Sequence, residues 1–118
     1  MRHGNHKYKL GVSPSHRKAL IKNLCSELFD HGKVKTTLIK AKALKPFAEK
    51  LITLAKDDSI ANRRLAYAKL NNKDAVKSLF DNVAPKFKQR PGGYTRVLRF
   101  SDNRLGDGAK TAYICLVD

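Results

Sequence analysis

The stretch of sequence that decides the fold is Lys33–Ala55, which reads KVKTTLIKAKALKPFAEKLITLA. Its first residues, Lys33–Thr36, alternate in character and include β-branched side chains, a pattern that predicts a short strand. A helix capped by Thr36 or Thr37 should follow, because apolar residues recur there at helical spacing. These residues are Leu38, Ala41, Leu44, Ala48, Leu51, Ile52 and Ala55. Pro46 lacks the amide donor that a helix uses, so we expect a kink or a break at this position.

The residues before this stretch predict another helix, preceded by an arm. Ser13 and Pro14 are residue types preferred at an N-cap and at the first helical position. Gly32 can take the left-handed conformation that ends a helix. Apolar residues at helical spacing lie between these ends: Leu20, Ile21, Leu24, Cys25 and Leu28. Residues 1–12 show no such periodicity, so we expect an extended basic arm at 1–12 and a single compact domain at 13–118.

Two further helices are predicted after Ala55. Ser59 and Asn72 are good N-cap residues, and each precedes apolar residues at helical spacing. The first apolar set is Ile60, Leu65, Ala66 and Ala68, and the second is Ala75, Val76, Leu79, Phe80 and Val83. We expect Pro85 or the Arg90–Gly93 segment to end the second helix, because proline and glycine disfavour helical continuation.

The last part of the chain changes to β-structure. Tyr94–Phe100 and Thr111–Val117 are rich in β-branched and aromatic residues, and they flank the turn-forming segment Ser101–Gly108. This pattern predicts an antiparallel hairpin. Both faces of the second strand are fairly apolar, so helices should cover one face and something else should cover part of the other. The predicted fold class is α+β, with four helices packed on a small sheet that the hairpin completes.

The charge of the chain indicates a polyanionic partner. The formal net charge is +15 over 118 residues. Residues 1–26 contain six Lys or Arg and three His but no acid, and residues 82–101 contain five Lys or Arg and no acid. A compact domain with this excess repels itself unless a polyanion neutralises it. Nucleic acid is the favoured partner, although charge alone leaves membrane surfaces and acidic proteins open.

Composition and motifs argue against several other classes. The hydrophobic content of 42% is enough for a real core. No apolar run approaches the roughly 20 residues of a membrane span, and no apolar segment follows the basic N-terminus as in a secretory signal. Cys25 and Cys115 lie in apolar segments, so we expect buried free thiols in a reducing cytoplasm.

The residues that carry catalytic chemistry do not form a recognisable pattern. The sequence has no glycine-rich phosphate-binding loop, and its acids do not form a carboxylate pair. His3 and His6 are three residues apart, but a zinc site would need about four ligands. We therefore expect no metal, no cofactor, no small-molecule substrate and no enzymatic activity.

Basic clusters on the predicted elements are the candidate RNA contacts. In the arm, four cationic or titratable side chains accompany a ring that can stack on an unpaired base. These arm residues are Arg2, His3, Lys7, Tyr8 and Lys9. Arg17, Lys18 and Lys22 lie near the start of the first helix, where the helix dipole also favours phosphate. A terminus without a role and an ordinary solvated helix face are the respective alternatives.

Two more basic clusters are candidate RNA contacts, and each also has a purely structural alternative. Arg63 and Arg64 can contact RNA, or they can pair with Asp57 or Asp58, and the sequence does not favour either strongly. The segment Gly92-Gly93-Tyr94-Thr95-Arg96 can be a tight entry into a strand. Its glycines also allow the backbone to approach a phosphate closely, with Arg96 beside it.

Several ordered blocks give the chain a specific resemblance. They are Met1–His3, His16–Leu20, Val34–Ala41, Glu49–Lys56, Asn62–Ala66, Gly92–Arg96 and Ala112–Ile114. Over nearly its whole length the sequence resembles the bacterial large-subunit ribosomal protein L17 family. The blocks add His16 and Lys35 to the candidate RNA-binding residues. The chain departs from the family pattern at Gly4-Asn5-His6, where further Arg or Lys is typical, and at Ala43, where an acid is common.

The resemblance implies a function for the whole chain. It implies a structural constituent of the large subunit that binds large-subunit ribosomal RNA near the nascent-chain exit, beside neighbouring ribosomal proteins. A role in translation, a cytoplasmic ribosome-bound location, no membrane and no requirement for self-association follow in the same way. A DNA-binding protein and a small nuclease or RNA-modifying enzyme are the alternatives, but no recognition helix with a dimer seam and no catalytic constellation stands out.

Overall fold

The computed structural model describes residues 13–103, 106 and 108–117, with only the backbone at 101–103. The predicted arm at 1–12 therefore lies outside the described residues. The elements follow one another as helix α1 (Pro14–His31), strand β1 (Lys33–Thr37), helices α2 (Leu38–Ala55), α3 (Ile60–Leu70) and α4 (Lys73–Ser78), and strands β2 (Thr95–Asn103) and β3 (Lys110–Leu116). Four helices and a three-stranded sheet confirm the α+β class.

The ends of α1 are those predicted from the sequence. The Ser13 hydroxyl accepts a hydrogen bond from the His16 amide at 3.2 Å, and Pro14 occupies the first turn. Gly32 has φ 83°, and its amide donates to the Leu28 carbonyl at 2.8 Å. Any residue other than glycine is strained at this φ, so Gly32 fixes where α1 ends and β1 begins.

Helix α2 forms the centre of the core. All seven residues of its predicted apolar stripe are buried, and the Thr37 hydroxyl accepts from the Lys40 amide at 3.4 Å. The helix continues unbroken through Pro46, so the expectation of a break was wrong. Pro46 and Lys42 are both exposed, and water can therefore satisfy the Lys42 carbonyl that loses its partner.

The last helical segment reaches Phe87 and so ends shortly before Arg90–Gly93, the second of its two predicted ends. Ser59 and Asn72 cap α3 and α4 as expected, each accepting an amide hydrogen bond at 3.1 Å. After α4 the chain forms a π-helical turn, Leu79–Val83, and a 3₁₀ helix, Ala84–Phe87. Pro85 does not end the helical segment, because it lies in the first turn of the 3₁₀ helix, where its missing amide costs little.

The sheet has the strand order β1-β3-β2, and both pairs are antiparallel. Val34 and Val97 lie opposite Ile114 on either side, which sets the register. Strand β2 extends to Asn103, so the turn is shorter than the predicted Ser101–Gly108. The pairing shifts register between Arg99 and Asn103, an irregularity that the residue pattern did not signal.

Helices α1 and α2 pack on one face of this sheet. Ala112 and Ile114 on that face are fully buried, and Leu116 packs partly buried against the same core. Helices α3 and α4 pack against α1 and against each other. The opposite face of the sheet is not covered by any described helix, which leaves β1, β2 and β3 with one surface available to solvent.

Candidate nucleic-acid interface

The uncovered side of the sheet is called here the outer sheet face. Because side chains alternate along a strand, the register assigns its members directly. Lys33 and Arg96 lie opposite Cys115, and Lys35 and Leu98 lie opposite Tyr113. Phe100 joins them through its contact with Tyr113. The register also puts Thr37 and the buried Thr111 on this side of the sheet. The name outer sheet face is used for the other members, Lys33, Lys35, Arg96, Leu98, Phe100, Tyr113 and Cys115.

Two aromatic rings organise the cations on this face. The rings of Phe100 and Tyr113 meet edge to face, with centroids 4.9 Å apart and an interplanar angle of 90°. The Lys33 ammonium lies 5.1 Å from the Tyr113 centroid, and the Lys35 ammonium lies 4.9 Å from the Phe100 centroid. These are cation–π distances. Among the described residues, no carboxylate oxygen lies within 4.0 Å of either ammonium group.

The predicted cations of α1 border a separate groove. Lys18 and Lys22 line an open depression of about 380 Å³ between α1 and the turn from α3 to α4. Its other lining residues are Ser15, Ala19, Asn23, Leu70 and Asn71, so none of the described residues lining it is acidic. This set is called the α1 groove. His16 and Arg17 lie in the first turn of α1 but do not line it.

Arg63 makes ion pairs with two acids. Its guanidinium donates to both Asp58 carboxylate oxygens, at 2.7 and 2.9 Å, and to Asp81 Oδ1 at 3.0 Å. It also lies 4.9 Å from the centroid of the Phe80 ring. The hydrogen bond from Arg63 is the main reason that the pKa of Asp58 is lowered. Of the two alternatives for Arg63, ion pairing is the one that this geometry supports.

Arg64 makes no ion pair with either acid in the described part of the chain, and it lies on an exposed surface of α3 and α4. This surface contains an open groove of about 490 Å³, called the α3–α4 groove. Its lining residues are Ile60, Arg63, Arg64, Tyr67, Lys73, Val76, Lys77 and Asp81. Ile60 is 72% exposed and Leu65 is 53% exposed, so α3 presents to solvent two residues of its predicted apolar set. Tyr67, which was not in that set, is 40% exposed.

The segment Gly92–Arg96 combines packing and exposure. Gly93 has φ 63°, which a glycine adopts at no steric cost. Tyr94 is only 2% exposed, and its ring lies 5.3 Å from that of Phe87. The prediction that Tyr94 contacts RNA therefore needs correction, because a buried ring offers no surface to a base. Arg96 remains exposed and begins the outer sheet face.

Polar contacts hold this segment against α2. The Tyr94 hydroxyl lies 3.1 Å from the Thr53 hydroxyl, and hydrogen bonding from Lys56, then from Thr53, lowers the pKa of Tyr94. The Glu49 carboxylate accepts from the Thr95 amide at 3.2 Å and from its hydroxyl at 2.8 Å. Thr95 is 4% exposed. The start of β2 is therefore fixed to α2, and this fixes where Arg96 projects.

The remaining candidates divide by location. Lys35 and Arg96 come together on the outer sheet face, and Lys18 and Lys22 come together in the α1 groove. The arm candidates lie outside the described residues: Arg2, His3, Lys7, Tyr8 and Lys9. Sequence reasoning missed Lys33, Phe100 and Tyr113 as candidates. The apolar character of both faces of β3 was the signal that could have found them.

No other chemistry competes with these surfaces in the described part of the chain. Cys25 is fully buried, which raises the pKa of its thiol, and Cys115 is a partly exposed free thiol. Across residues 13–103, 106 and 108–117, no three His, Cys, Asp or Glu side chains are grouped as a metal ion would require. None of the helices in those ranges is both long enough and apolar enough to cross a membrane.

The fold and these surfaces define a class before any comparison: a small basic α+β domain suited to binding a polyanion. Comparison with known proteins gives the family. Ribosomal protein L17 matches residues 20–117 of the chain. The large ribosomal subunit protein bL17 of Methylacidiphilum infernorum (isolate V4) is 54% identical over 114 residues, which cover 97% of this chain and 86% of that protein.

The chain therefore belongs to the ribosomal protein L17 family. It is a structural constituent of the large ribosomal subunit in translation, and it is not an enzyme. As a ribosomal protein it is ribosome-bound in the cytoplasm. The family resemblance found in the sequence blocks is thus confirmed.

Proposed function

We propose that the protein binds large-subunit ribosomal RNA directly and holds neighbouring RNA segments together near the nascent-chain exit, beside other ribosomal proteins. The observation that carries the proposal is the α1 groove, in which Lys18 and Lys22 stand together with no acidic residue among the described lining side chains. A net charge of +15 gives the whole chain the same tendency. Family membership supplies the ribosomal context.

The mechanism is electrostatic and geometric, without turnover. The Lys ammonium groups neutralise phosphates and release the counterions that those phosphates had condensed. Lys18 and Lys22 lie in the first half of α1, toward the positive end of its dipole, which adds to their attraction for phosphate. Because double-stranded RNA is recognised mainly through its shape and backbone, the fit of the groove to a folded RNA selects the site.

Salt dependence is the direct test of this mechanism. If the chain contacts roughly 6–10 phosphates, its affinity for ribosomal RNA falls about 10³- to 10⁵-fold between 50 and 200 mM salt. We expect the tagged full-length protein to sediment with the large subunit at moderate salt. Sedimentation with DNA, or as a free protein, would overturn the proposal in favour of a nucleoid protein or another basic protein.

Matched charge variants test the α1 groove itself. The variant Lys18→Gln/Lys22→Gln should weaken binding to isolated ribosomal RNA and lower the salt slope by about 1 to 2. The control is Lys42→Gln/Lys50→Gln, which removes the same charge from exposed positions of α2. Equal losses in both variants would mean that total charge, and not the α1 groove, determines binding.

The position near the nascent-chain exit and the neighbouring proteins are supported only by the family resemblance. A crosslinking map of the protein in the intact large subunit tests both. Crosslinks to RNA and to proteins around the exit are expected. A map that places the chain at the subunit interface would overturn this part of the proposal while leaving RNA binding intact.

A further inference from the structure

We infer that the outer sheet face is a platform for unpaired RNA nucleotides, whose bases stack on Phe100, Tyr113 and Leu98 while Lys33, Lys35 and Arg96 hold the flanking phosphates. The inference rests on the proposed RNA binding and extends it, because it names a second surface and the kind of RNA that this surface takes. Three properties of this face support it: exposure, charge and ring geometry.

The first property is exposure, because this face carries apolar groups that no described element covers. Leu98 lies on the edge strand β2, opposite Tyr113 and two residues before Phe100, and it is 46% exposed. Phe100 and Tyr113 are partly exposed. Apolar groups that are contiguous on a surface mark an interaction site, because burying them against a partner is favourable. A partner that covers this face must therefore offer apolar or aromatic surface.

The second property is the positive charge of this face, which a negatively charged partner would complement. The outer sheet face carries Lys33, Lys35 and Arg96, and none of the seven residues that define it is acidic. A partner must therefore combine negative charge with flat apolar groups. Single-stranded RNA has both, since phosphates alternate with bases that can stack on aromatic side chains. A duplex offers its phosphates but keeps its base faces stacked inside, so it would leave the rings and Leu98 uncovered.

The third property is that the rings and cations are already arranged so that a base can replace an ammonium group over a ring. The ammonium groups of Lys33 and Lys35 lie 5.1 and 4.9 Å from the centroids of Tyr113 and Phe100, so each ring has a face occupied by a mobile cation and not by a packed side chain. A base can take the place of the ammonium over the ring, and the flexible lysine stem then lets the charge move to the adjoining phosphate. The strands beneath are held by their ladder hydrogen bonds and by the Glu49–Thr95 contact, so the platform itself need not rearrange.

Cys115 gives a direct readout of cover on this face. It lies between Lys33 and Arg96 in the register, whereas Cys25 is fully buried and serves as an unreactive internal control. The full-length chain is alkylated with iodoacetamide alone, with a single-stranded 12-nucleotide RNA and with the corresponding duplex. We expect the single strand to slow alkylation of Cys115 about tenfold or more, and the duplex, at equal occupancy, to slow it less than about twofold.

Ring variants test stacking separately from charge. Phe100→Leu/Tyr113→Leu keeps apolar bulk and all cations, and should weaken binding of the single strand about tenfold without changing the salt slope. The control is Tyr67→Leu, which removes a 40% exposed ring from α3. If circular dichroism shows that the double variant does not fold, Leu98→Asn tests the same face without changing its charge and should also weaken binding of the single strand.

Three results would overturn the inference. The first is an equal loss of affinity in the ring variant and the control. The second is a Cys115 that becomes reactive in the free chain only after residues 1–12 are removed, which would make the arm the occupant. The third is a photocrosslinker at Leu98 that captures a protein in the intact subunit. Co-sedimentation of the wild-type chain with the large subunit is measured in parallel. Its persistence alongside any of these results leaves the proposed function standing, and its loss overturns the proposed function.

Discussion

Arg63 of the α3–α4 groove and the two lysines of the outer sheet face have opposite kinds of neighbours. In the α3–α4 groove, Arg63 is held by Asp58 and Asp81 at 2.7 to 3.0 Å. On the outer sheet face, Lys33 and Lys35 lie over aromatic rings, and no described carboxylate lies within 4.0 Å. The difference teaches that the neighbours of a cation, and not the count of cations, decide whether it is bound within the fold or available to a partner.

The largest effect should come from the inner side of the same sheet. Ile114 is fully buried, so Ile114→Ala should lower the free energy of unfolding by about 2–5 kcal/mol through lost burial and a cavity. Leu98→Ala on the outer sheet face should cost about 0.5 kcal/mol or less, because Leu98 is 46% exposed. Urea denaturation measures both. Similar costs would show that the outer sheet face is packed as tightly as the inner one.

The next effect separates the two basic surfaces. At 0.1 M salt, Lys33→Gln/Lys35→Gln/Arg96→Gln should weaken binding to single-stranded RNA on the order of 100-fold, since each lost phosphate contact removes about 0.7 from the logarithmic salt slope. The matched triple variant, Arg64→Gln, Lys73→Gln and Lys77→Gln, removes the same charge from the α3–α4 groove. Fluorescence anisotropy over a salt series compares them. A greater loss in the α3–α4 variant would reverse the assignment of the two surfaces.

A smaller effect concerns the anchor of β2. Glu49→Ala leaves the amide and hydroxyl of the buried Thr95 without their partner, and should cost about 1–3 kcal/mol of stability. Because this contact fixes the start of β2, the variant should also weaken binding of single-stranded RNA, whereas binding through the α1 groove should persist. Urea denaturation and RNA titration measure the two effects. Unchanged stability would show that water replaces Glu49 at no cost.

The smallest effect should come from the ion pairs of Arg63. Arg63→Gln should reduce stability slightly, as expected for an exposed pair. The pKa of Asp58 is lowered in the folded state. The contribution of the ion pair to stability is therefore present above the unfolded-state pKa of about 3.9, and it is lost as the pH falls through the lower folded-state pKa. The difference between wild type and variant in thermal unfolding should therefore shrink on acidification and in high salt. Arg64→Gln is the control, and a pH-dependent difference there would contradict this account.

Much of the fold follows from local rules. The caps at Ser13, Thr37, Ser59 and Asn72 were readable because short polar side chains satisfy helix-end amides wherever they precede an apolar periodic segment. The unbroken course of α2 was not readable, since tolerance of Pro46 depends on which side of the helix meets water. The π-helical turn after Ser78 was equally hidden, because it has no residue signature of its own.

The site was only partly readable for a related reason. A sequence shows that Arg63 is cationic and that Asp58 is near in the chain. Asp81 reaches it because α3 packs against α4, and the turn that contains Asp81 directly follows α4. Tyr94 belongs to a glycine-rich basic segment, yet the tertiary fold turns its ring into the core. The assembly of Lys33, Phe100 and Tyr113 depends on strand order, which residue periodicity does not determine.

That strand order also has a consequence in time. The central strand β3 comes last of the three along the chain, so β1 and β2 are synthesised before the strand that joins them. All four helices are synthesised before β3 and can pack early, whereas the sheet waits for a long-range closure. The platform for unpaired nucleotides thus comes into being at the final step of folding. A newly made chain can offer it to RNA only after its own maturation is complete, which couples the order of synthesis to the order of assembly.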